Sequence, residues 1–496
     1  MTTPVVLLRI DRAARRHTTH PRHLHPALDL NYAQAAIEVA SGRTVPLLDG
    51  WLTPFDVQAF AGAALALKPR IAVIRAVTWC LEESIAVARI LRHAGVTTIA
   101  VGQQVLHVAR CPQPGWLEAF DLAIPGEPEQ AVPQLVADIE RGTSLAILQM
   151  RWPANGRGPV EQVVDPDSLP APRFSTTEST AYPFPFPLRG VVADRWAYIL
   201  TAWGCPRPCL HCSAIVRKSV GRPLRARSLD SVLDEVARCA DAGAQAIAFE
   251  DDSLFVHRKR FMQLANGMQR RGITLPWMAN ARPDELDEER ILAARDSGAV
   301  LLKIGVDTGA PRLIEKLGKT TDGDVWMEAV ESSFASLHAE GIGSVALFMF
   351  GLPGETQADA EATRALAMRL PADYLQVQLY QPYPDVPWWE SLNLQQSPKP
   401  DYHYGAHGHP LGELSFAELD RLQRQLYRQF YLRPSFIARH LRHGWRWYLG
   451  GGAARVAGIL HFLGKRADKA VDCQHQQHRD QHRSHLHLDQ VRHVQD

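Results

Sequence analysis

The chain has 496 residues, of which 46% are hydrophobic, and its 54 Lys+Arg almost balance its 53 Asp+Glu, giving a net charge of +1. At roughly 150 residues a domain, this length predicts about three domains. The charge balance excludes a globally basic nucleic-acid binder, and the apolar content excludes global disorder. The start of the chain lacks a signal-peptide pattern, and the most apolar stretch, residues 345–352, is too short to span a bilayer. We therefore expect a cytoplasmic protein with no nucleic-acid partner.

Strand-like and helix-like segments alternate through the first part of the chain. The strand-like runs are VVLLRI (5–10), VPLLDG (45–50), IAVIRAVT (71–78), TTIAVG (97–102) and FDLAIPGEPE (120–129). Helical segments of about 10–15 residues between such runs predict a parallel, doubly wound sheet, with ligands at the carboxyl ends of its strands. No GxGxxG or GxxxxGK[ST] motif follows a strand, which disfavours nicotinamide and nucleoside-triphosphate binding. We assign residues 1–145 to this α/β domain.

A second alternating series follows residues 146–190, which are rich in Pro, Gly and Ser and predict an extended linker. Its strand-like runs are AYILTA (197–202), QAIAF (245–249), PWMAN (276–280), AVLLKIG (299–305), SVALFMF (344–350) and YLQVQLY (374–380). Six parallel strand–helix units predict an open (β/α)6 barrel over residues 191–390, with functional residues just after the strands. Residues 391–470 have a helical pattern, and the polar, His-rich residues 471–496 have the composition of a disordered tail.

Three of the seven cysteines are crowded just after the first barrel strand, in the sequence GCPRPCLHC. They are Cys205, Cys209 and Cys212, and this crowding in a reducing compartment indicates a metal rather than disulfides. Three thiolates on a short loop can bind three irons of a [4Fe–4S] cluster and leave the fourth iron open to a ligand. The alternative is a structural zinc loop, but its fourth ligand would be distant, since Cys239 falls within a predicted helix.

The cysteine motif and its barrel context resemble the radical S-adenosylmethionine (SAM) superfamily. Further stretches resemble its cobalamin-binding branch, which includes class B methyltransferases and anaerobic magnesium-protoporphyrin ester cyclase. These stretches are FEDDSLF (249–255), KIGVDTG (303–309), MFGLPGET (349–356), QPYPDVPWW (381–389) and FYLRPSF (430–436). The resemblance covers about residues 5–440 and implies a [4Fe–4S] cluster held by the three cysteines, SAM and cobalamin as cofactors.

Residue roles in SAM binding follow from position within this resemblance. A carboxylate after the second barrel strand is expected to bind the methionyl ammonium of SAM through a charge-assisted hydrogen bond. The alternative is that the acidic residues there only form a charge cluster at the N-terminus of a helix. Asp307 stands where the family usually has Glu, and it is expected to bind a ribose hydroxyl. His211 precedes the third cysteine, where an aromatic usually packs near the adenine, and the alternative is an exposed loop imidazole. The remaining residues implied are the carboxylates Glu250, Asp251 and Asp252 and the close-approach or turn glycines Gly351 and Gly354.

The N-terminal sheet departs from one pattern of cobalamin domains, because the sequence has no DxHxxG motif that would place a histidine on cobalt. We predict that His107 lies on a loop and does not bind cobalt. Cobalamin would then bind without a protein histidine. Four residues lie at strand ends, where the nucleotide tail of cobalamin would pass: Thr78, Gly102, Gly126 and Glu127. The alternative is that they serve only as turn and cap residues.

The resemblance implies a cobalamin-dependent methyltransferase that forms a 5′-deoxyadenosyl radical and methylates an unactivated carbon of a small molecule. One alternative keeps the radical step but cyclises or oxidises a tetrapyrrole or lipid, and another is a non-catalytic cobalamin or redox sensor. An electron donor such as flavodoxin or ferredoxin is implied. Seven arginines and no acidic residue lie between Arg421 and Arg446. They indicate either a solvated basic face or, with Trp445, Trp447 and Tyr448, peripheral membrane contact and substrate docking.

Overall fold

The computed structural model describes residues 4–10, 25–52, 55–77, 80–173, 182, 188, 191–213, 221, 223–386, 388–392 and 411–438. Contacts divide the chain into two units, and all of the described residues lie in the first, which comprises residues 1–17 and 22–444. The basic and aromatic residues predicted for membrane contact at 439–448, and the His-rich tail, lie outside the described residues. Among the helices described, none combines the length and the apolar character needed to cross a bilayer.

The N-terminal sheet has five parallel strands in the order β2-β1-β3-β4-β5. The strands are β1 (Val5–Arg9), β2 (Leu47–Asp49), β3 (Ile71–Arg75), β4 (Thr97–Gly102) and β5 (Leu122–Pro125). Helices cover both faces: α1 (Leu28–Ser41) and α5 (Pro128–Glu140) on one side, and α2 (Val57–Ala66), α3 (Leu81–His93) and α4 (Gln103–Arg110) on the other. The order reverses between β1 and β3, which makes the carboxyl ends of these strands the expected ligand edge.

Every residue of β1 is buried, as expected for a strand in a sheet that helices cover on both faces. Val5 and Leu7 pack against α1 and α5, whereas Val6 and Leu8 pack against the opposite helices. Each fully buried aliphatic side chain contributes roughly 1.5–3 kcal/mol relative to an exposed one. The predicted doubly wound sheet is therefore confirmed.

The core of this sheet continues into the segment predicted to be a linker. Helix α6 (Leu145–Arg151) leads to Trp152, whose ring is 1% exposed and packs in the same apolar cluster as α1 and α5. The Trp152 indole donates a hydrogen bond of 2.8 Å to Glu161, which also forms a β-bridge with Gly126. The first part of the predicted linker thus belongs to the N-terminal core, because a large indole there is buried rather than extended over the surface.

A six-stranded parallel sheet follows, in the sequential order β6-β9-β10-β11-β12-β13. Its strands are β6 (Trp196–Ile199), β9 (Ala246–Phe249), β10 (Trp277–Ala281), β11 (Ala299–Asp307), β12 (Gly343–Phe350) and β13 (Tyr374–Leu379), and β7 (Ala202–Trp203) with β8 (Arg225–Ala226) forms a separate antiparallel ribbon. The helices are α7 (Leu229–Asp241), α8 (Arg258–Arg270), α9 (Glu288–Asp296), α10 (Pro311–Lys316), α11 (Gly323–Ala339), α12 (Gln357–Arg369), α13 (Trp388–Ser391) and α14 (Phe416–Tyr431). This sheet, with β6 and β13 as its edges, confirms the predicted six-unit partial barrel.

Helix α14 covers the outer edge of β13 through side chains spaced four residues apart. The hydroxyl of Tyr427 accepts from the Val377 amide at 2.7 Å and donates to the Val377 carbonyl at 3.0 Å. Tyr431 makes the same pair of bonds with Leu375, at 3.1 and 2.9 Å. Side chains four residues apart, such as Tyr427 and Tyr431, lie on one face of a helix, and the backbone groups of alternate strand residues, such as Leu375 and Val377, point to one edge. The spacing of the tyrosines therefore matches the spacing of the edge groups. The edge groups of β13 are thereby satisfied without a seventh strand.

Gly126 provides a test of how the sheet and the following segment are joined. Its φ is +99°, and an added Cβ would lie 2.2 Å from the Glu161 carbonyl oxygen. Gly126→Ala should therefore combine left-handed backbone strain with a steric clash, at a cost of about 2–4 kcal/mol. Gly142→Ala is the matched control, because Gly142 has φ +89° but nothing within 4 Å of its Cβ position. Differential scanning fluorimetry should show a clearly larger fall in thermal midpoint for Gly126→Ala, and equal falls would contradict the clash.

Candidate functional site

The cysteine loop, residues 204–213, begins where the β7 strand ends. The Cys205 amide donates to the Gly221 carbonyl at 3.3 Å, and all three thiols are half-buried and free of disulfides. The segment before the loop is fixed by Asp251, whose carboxylate accepts from the Thr201 amide at 3.1 Å, its hydroxyl at 3.0 Å and the Ala202 amide at 2.7 Å. The start of the loop is thereby tied to the carboxyl end of β9.

The same contacts show where the predicted SAM carboxylates lie. Burial raises the pKa of Asp251 to about 6 although its hydrogen bonds from Thr201 oppose the shift, and its described bonds go to protein backbone and hydroxyl groups. Glu250 is buried beside it and lies 3.7 Å from the Lys303 ammonium, whereas Asp252 is half-buried. Contact of these three carboxylates with SAM stays a prediction.

Two arginines hold the middle of the cysteine loop. Arg207, between the first two cysteines, forms an ion pair of 2.6 Å with Glu285, a buried carboxylate that follows β10. Arg282 donates to the Cys209 sulfur at 3.3 Å and is itself held by Asp284 at 2.9 Å. Sequence analysis missed both arginines, because contacts across 78 and 73 residues leave no local pattern.

His211 and Asp307 lie on facing sides of the site. The His211 Nε2 is 3.9 Å from the Asp307 carboxylate, which also forms an ion pair with Lys319. Burial lowers the pKa of His211 to about 4 despite the nearby carboxylate, so its ring is neutral at pH 7. Burial acts to raise the pKa of Asp307, but Lys319 and His211 outweigh it and hold that pKa below its usual value. The predicted adenine and ribose roles are not tested by these contacts.

The backbone at Asp307 is unusual for a residue with a side chain. Its φ is +70°, and the pairing of β11 with β12 shifts register between Gly305 and Asp307. Aspartate tolerates the left-handed region better than most residues, and such strain is typical of functional positions. The bulge directs the end of β11 toward the cysteine loop, where Lys319 also bonds the Gly305 carbonyl at 2.9 Å.

Gly351 and Gly354 follow β12 with φ of +80° and +73°, as tight turns require. Between them and α12 stands Glu355, which is 1% exposed and accepts from the Gly351 amide. Its Oε1 atom is buried without a hydrogen-bond partner, and burial raises the pKa of this carboxyl to about 7. A buried carboxyl here was not predicted, although the motif MFGLPGET contains it.

The predicted cobalamin contacts divide into two groups. Gly102, with φ +98°, and Gly126 lie at the carboxyl ends of β4 and β5, whereas Thr78 lies outside the described residues. Glu127 is buried, and its carboxylate pairs with Arg225 of the β8 strand at 2.7 Å and accepts from the Val163 amide. This carboxylate therefore joins the N-terminal sheet to the barrel ribbon. Cobalamin binding by any of the four stays a prediction.

A second buried carboxyl, that of Glu129 in α5, contacts Trp203, the residue before the cysteine loop. Glu129 accepts a hydrogen bond of 2.9 Å from the Trp203 indole, and the Trp203 ring contacts Tyr32 of α1 edge to face. Burial, together with the nearby carboxylate of Glu127, raises the pKa of Glu129 well above its usual value. The N-terminal sheet thus packs directly against the support of the loop.

The prediction that His107 lies on a loop is wrong. His107 is within α4, is fully buried, and its Nε2 lies 2.9 Å from the Asp385 carboxylate. The same oxygen of Asp385 accepts from the Ser213 hydroxyl at 2.7 Å, next to Cys212. The sequence suggested a loop because helical periodicity is hard to recognise in only eight residues.

The three thiols of the loop are ligands of the kind that an iron–sulfur cluster uses. Within the part of the chain that is described, no three His, Cys, Asp or Glu side chains are grouped to hold one metal ion. A cluster spreads its thiolates over separate irons, so its ligands need not converge on one point. Cys239, the candidate fourth ligand of a zinc site, is buried within α7, and burial raises its pKa to about 12.

Comparison with known proteins agrees with this geometry. Residues 199–367, which carry the cysteine loop and most of the barrel, match the family profile of the radical SAM superfamily. This family uses a [4Fe–4S] cluster and SAM. Residues 199–367 therefore form a radical SAM domain.

Two of the relatives that match most of the chain carry methyltransferase names. The chain is 26% identical to an uncharacterised methyltransferase of Pyrococcus horikoshii, over 84% of this chain and 90% of the relative. It is 26% identical to bacteriochlorophyllide d C-12(1)-methyltransferase of Chlorobaculum tepidum, over 65% of this chain and 68% of the relative. The fold resembles the radical SAM methyltransferase TsrM of Kitasatospora setae, solved with cobalamin and a [4Fe–4S] cluster, with a TM-score of 0.58, 19% identity and coverage of 78% of this chain and 77% of that chain.

The contact between Arg282 and Cys209 predicts an effect on the cluster potential. A reduced cluster is more negative, so a buried cation and a hydrogen bond to its ligand sulfur favour reduction. Arg282→Met should shift the midpoint potential of the reconstituted cluster to a more negative value, on the order of tens of millivolts. Electron paramagnetic resonance during a redox titration measures the shift. Arg290→Met removes a similarly buried arginine that binds Asp287 instead of a cysteine, and it should leave the potential unchanged.

Burial of Glu355 predicts a pH-dependent stability. Its pKa is about 7 in the fold against 4.5 for the ordinary carboxyl, so the unfolded chain ionises first as pH rises. Stability should be lost between about pH 4.5 and 7, by up to about 3 kcal/mol. Glu355→Gln should therefore raise the thermal midpoint relative to wild type at pH 8 much more than at pH 5. Glu413→Gln, at an exposed carboxylate that bonds the Gln357 amide, should show no such difference, and a parallel response of both variants would refute the assignment.

Proposed function

We propose that this protein is a cobalamin-dependent radical SAM methyltransferase that methylates an unactivated carbon of a small molecule. The observation that carries the proposal is the cysteine loop with its cationic surroundings, set at the carboxyl end of a six-strand barrel that packs on a doubly wound sheet. The named activities of the relatives support methyl transfer. The fold shared with TsrM supports a corrin on the N-terminal sheet.

The residues present fit both groups. Cys205, Cys209 and Cys212 would hold the cluster and leave one iron open for the amino and carboxylate groups of SAM. The carboxyl ends of β1, β3 and β4 would receive the corrin, with Gly102 allowing close approach. When bound, the cluster supplies the electron that cleaves the sulfonium and the corrin supplies the methyl group.

The chain itself contributes positioning and charge. Arg282 and Lys319 offset the negative charge of thiolate ligands, and they do so in a buried site where charges interact more strongly than in water. Glu250 would accept from the SAM amino group, and the Asp307 carboxylate would accept from a ribose hydroxyl, since both are buried at the carboxyl ends of barrel strands. Neutral His211 can pack against an adenine without adding charge. Burial of these groups keeps water from the reacting atoms.

A second candidate is radical cyclisation or oxidation of a tetrapyrrole without methyl transfer. It is favoured by 27% identity to anaerobic magnesium-protoporphyrin IX monomethyl ester cyclase of Cereibacter sphaeroides, over 39% of this chain. A tetrapyrrole or lipid substrate and reduction by a flavodoxin or ferredoxin belong to both candidates. Peripheral membrane contact would use the basic segment beyond α14.

The first test is whether the three cysteines are required for SAM cleavage. Alanine at Cys205, Cys209 or Cys212 should lower formation of 5′-deoxyadenosine or methionine from SAM, after anaerobic reconstitution and reduction with dithionite, by at least about 10³-fold. The reason is that each thiolate holds one iron of the cluster. Cys239→Ala, within α7, is the matched control and should cleave SAM as wild type does. Turnover that survives in a loop variant would refute the proposed role of the loop.

Methyl transfer is separated from cyclisation by labelling. Wild-type protein loaded with hydroxocobalamin should show corrin absorption bands and carry the label of [methyl-¹³C]SAM into product when it is offered candidate tetrapyrroles. Product without label would favour the second candidate. A cluster-loaded protein that retains no corrin after reconstitution would overturn cobalamin dependence, and one that never cleaves SAM would favour a sensor.

A further inference from the structure

A shared carboxylate oxygen links the N-terminal sheet to the cysteine loop. Asp385 Oδ1 accepts from the Ser213 hydroxyl at 2.7 Å and lies 2.9 Å from His107 Nε2. Because a carboxylate only accepts, a hydrogen bond between the two residues requires the tautomer of His107 that carries a proton on Nε2. His107 lies in α4, Ser213 at the end of the cysteine loop and Asp385 in the segment after β13. Ser213 and His107 are 172 and 278 positions from Asp385 in the sequence.

The link is reinforced on its N-terminal side. The Tyr383 ring stacks on His107 with centroids 5.4 Å apart, and Arg110 donates to the Pro384 carbonyl at 2.6 Å. Cys111, at the end of α4, packs against an apolar cluster made by Val386 and Trp389. These residues after β13 are therefore attached to α4 by aromatic, polar and apolar contacts at once. A movement of α4 requires a movement of this segment.

On the other side the link reaches a predicted cluster ligand. Ser213 is fully buried and directly follows Cys212. The last thiol of the loop thus depends on the same segment that is attached to α4.

Helix α4 starts at the ligand edge of the N-terminal sheet. It begins immediately after Gly102, the last residue of β4, where the left-handed φ of +98° turns the chain from strand to helix. A ligand seated at the carboxyl ends of the strands would contact this turn and restrict α4. A ligand that restricts the motion of α4 would also restrict Asp385, and through Asp385 the cysteine loop.

We propose that Asp385 is a positioning residue that couples occupancy of the N-terminal ligand edge to the geometry of Cys212 and hence to SAM binding. This inference rests on the proposed function, because the ligand expected at that edge is a corrin. A corrin that orders α4 removes part of the ordering that SAM binding must otherwise bring about, so the coupling is positive. By linkage, SAM must tighten corrin binding by the same factor.

The test measures binding, not turnover. Cluster-loaded, oxidised protein binds SAM without cleaving it, and equilibrium dialysis of labelled SAM gives its Kd with and without saturating hydroxocobalamin. In wild type, corrin should tighten SAM binding by about fivefold or more. Asp385→Asn keeps the size of the side chain but weakens both hydrogen bonds, and the factor should fall below about twofold. Iron content and SAM affinity without corrin should stay within about twofold of wild type.

Matched variants separate positioning from general damage. Asp373→Asn alters a buried aspartate at the opposite end of β13, where it accepts from the Ser344 amide at 3.0 Å, and full coupling should remain. His107→Gln can still donate at the Nε2 position and should keep most of the coupling, whereas His107→Ala should lose it. His107→Ala also serves if Asp385→Asn loses iron, because His107 lies on the far side of Asp385 from the loop.

The outcomes are distinguishable. Corrin and SAM that bind wild type with no coupling, or full coupling in Asp385→Asn and His107→Ala, would overturn the inference and leave the proposed function standing. Equal losses in Asp385→Asn and Asp373→Asn would also overturn it, since the effect would then be general. Wild-type protein that binds no corrin would overturn cobalamin dependence, and this inference with it.

Discussion

The cysteine loop contains no helix or strand over residues 204–213, so its shape depends on carboxylates that come from the ends of three barrel strands. Asp251 after β9 binds the backbone just before the loop, Glu285 after β10 pairs with Arg207 in its middle, and Asp385 after β13 bonds the residue beyond its last cysteine. Parallel strands bring these ends to one edge. Each carboxylate accepts at least two hydrogen bonds, so a strand that slipped in register would leave several buried donors unpaired. The shape of the cysteine loop therefore depends on the register of the barrel strands.

Charge is distributed around the loop in a definite pattern. Two cations lie there: Arg282 donates to the Cys209 sulfur, and Lys319 forms an ion pair with Asp307. Two carboxyls outside the loop, Glu129 and Glu355, have pKa values raised by burial, so they add less negative charge than their number suggests. A site arranged like this favours an anionic group at the thiols and disfavours a second cation there. Such a preference is what an iron–sulfur cluster with thiolate ligands requires.

The sequence predicted the sheets better than the side-chain partners, and the reason is physical. Strands such as β4 and β12 are read from runs of neighbouring apolar residues, and the cysteine motif is local as well. The partners of Arg207 and His107 lie 78 and 278 positions away, so neither pairing leaves a periodic signal. Asp251 shows the same limit, because its position after β9 was predictable but its bonds to Thr201 depend on how β6 and β9 align. Trp152 was misjudged because proline-rich surroundings suggested exposure.

The two tyrosines that α14 places along β13 have a consequence for assembly. A bare outer strand of a parallel sheet invites a strand from another molecule, which leads to uncontrolled association. Here Tyr427 and Tyr431 occupy the amide and carbonyl groups of alternate edge residues. Replacing both tyrosines by phenylalanine would leave the Val377 and Leu375 amides without these acceptors, although Gln423 also donates to the Val377 carbonyl at 2.8 Å. The tyrosines therefore oppose the addition of a strand from another molecule at this edge of the open barrel.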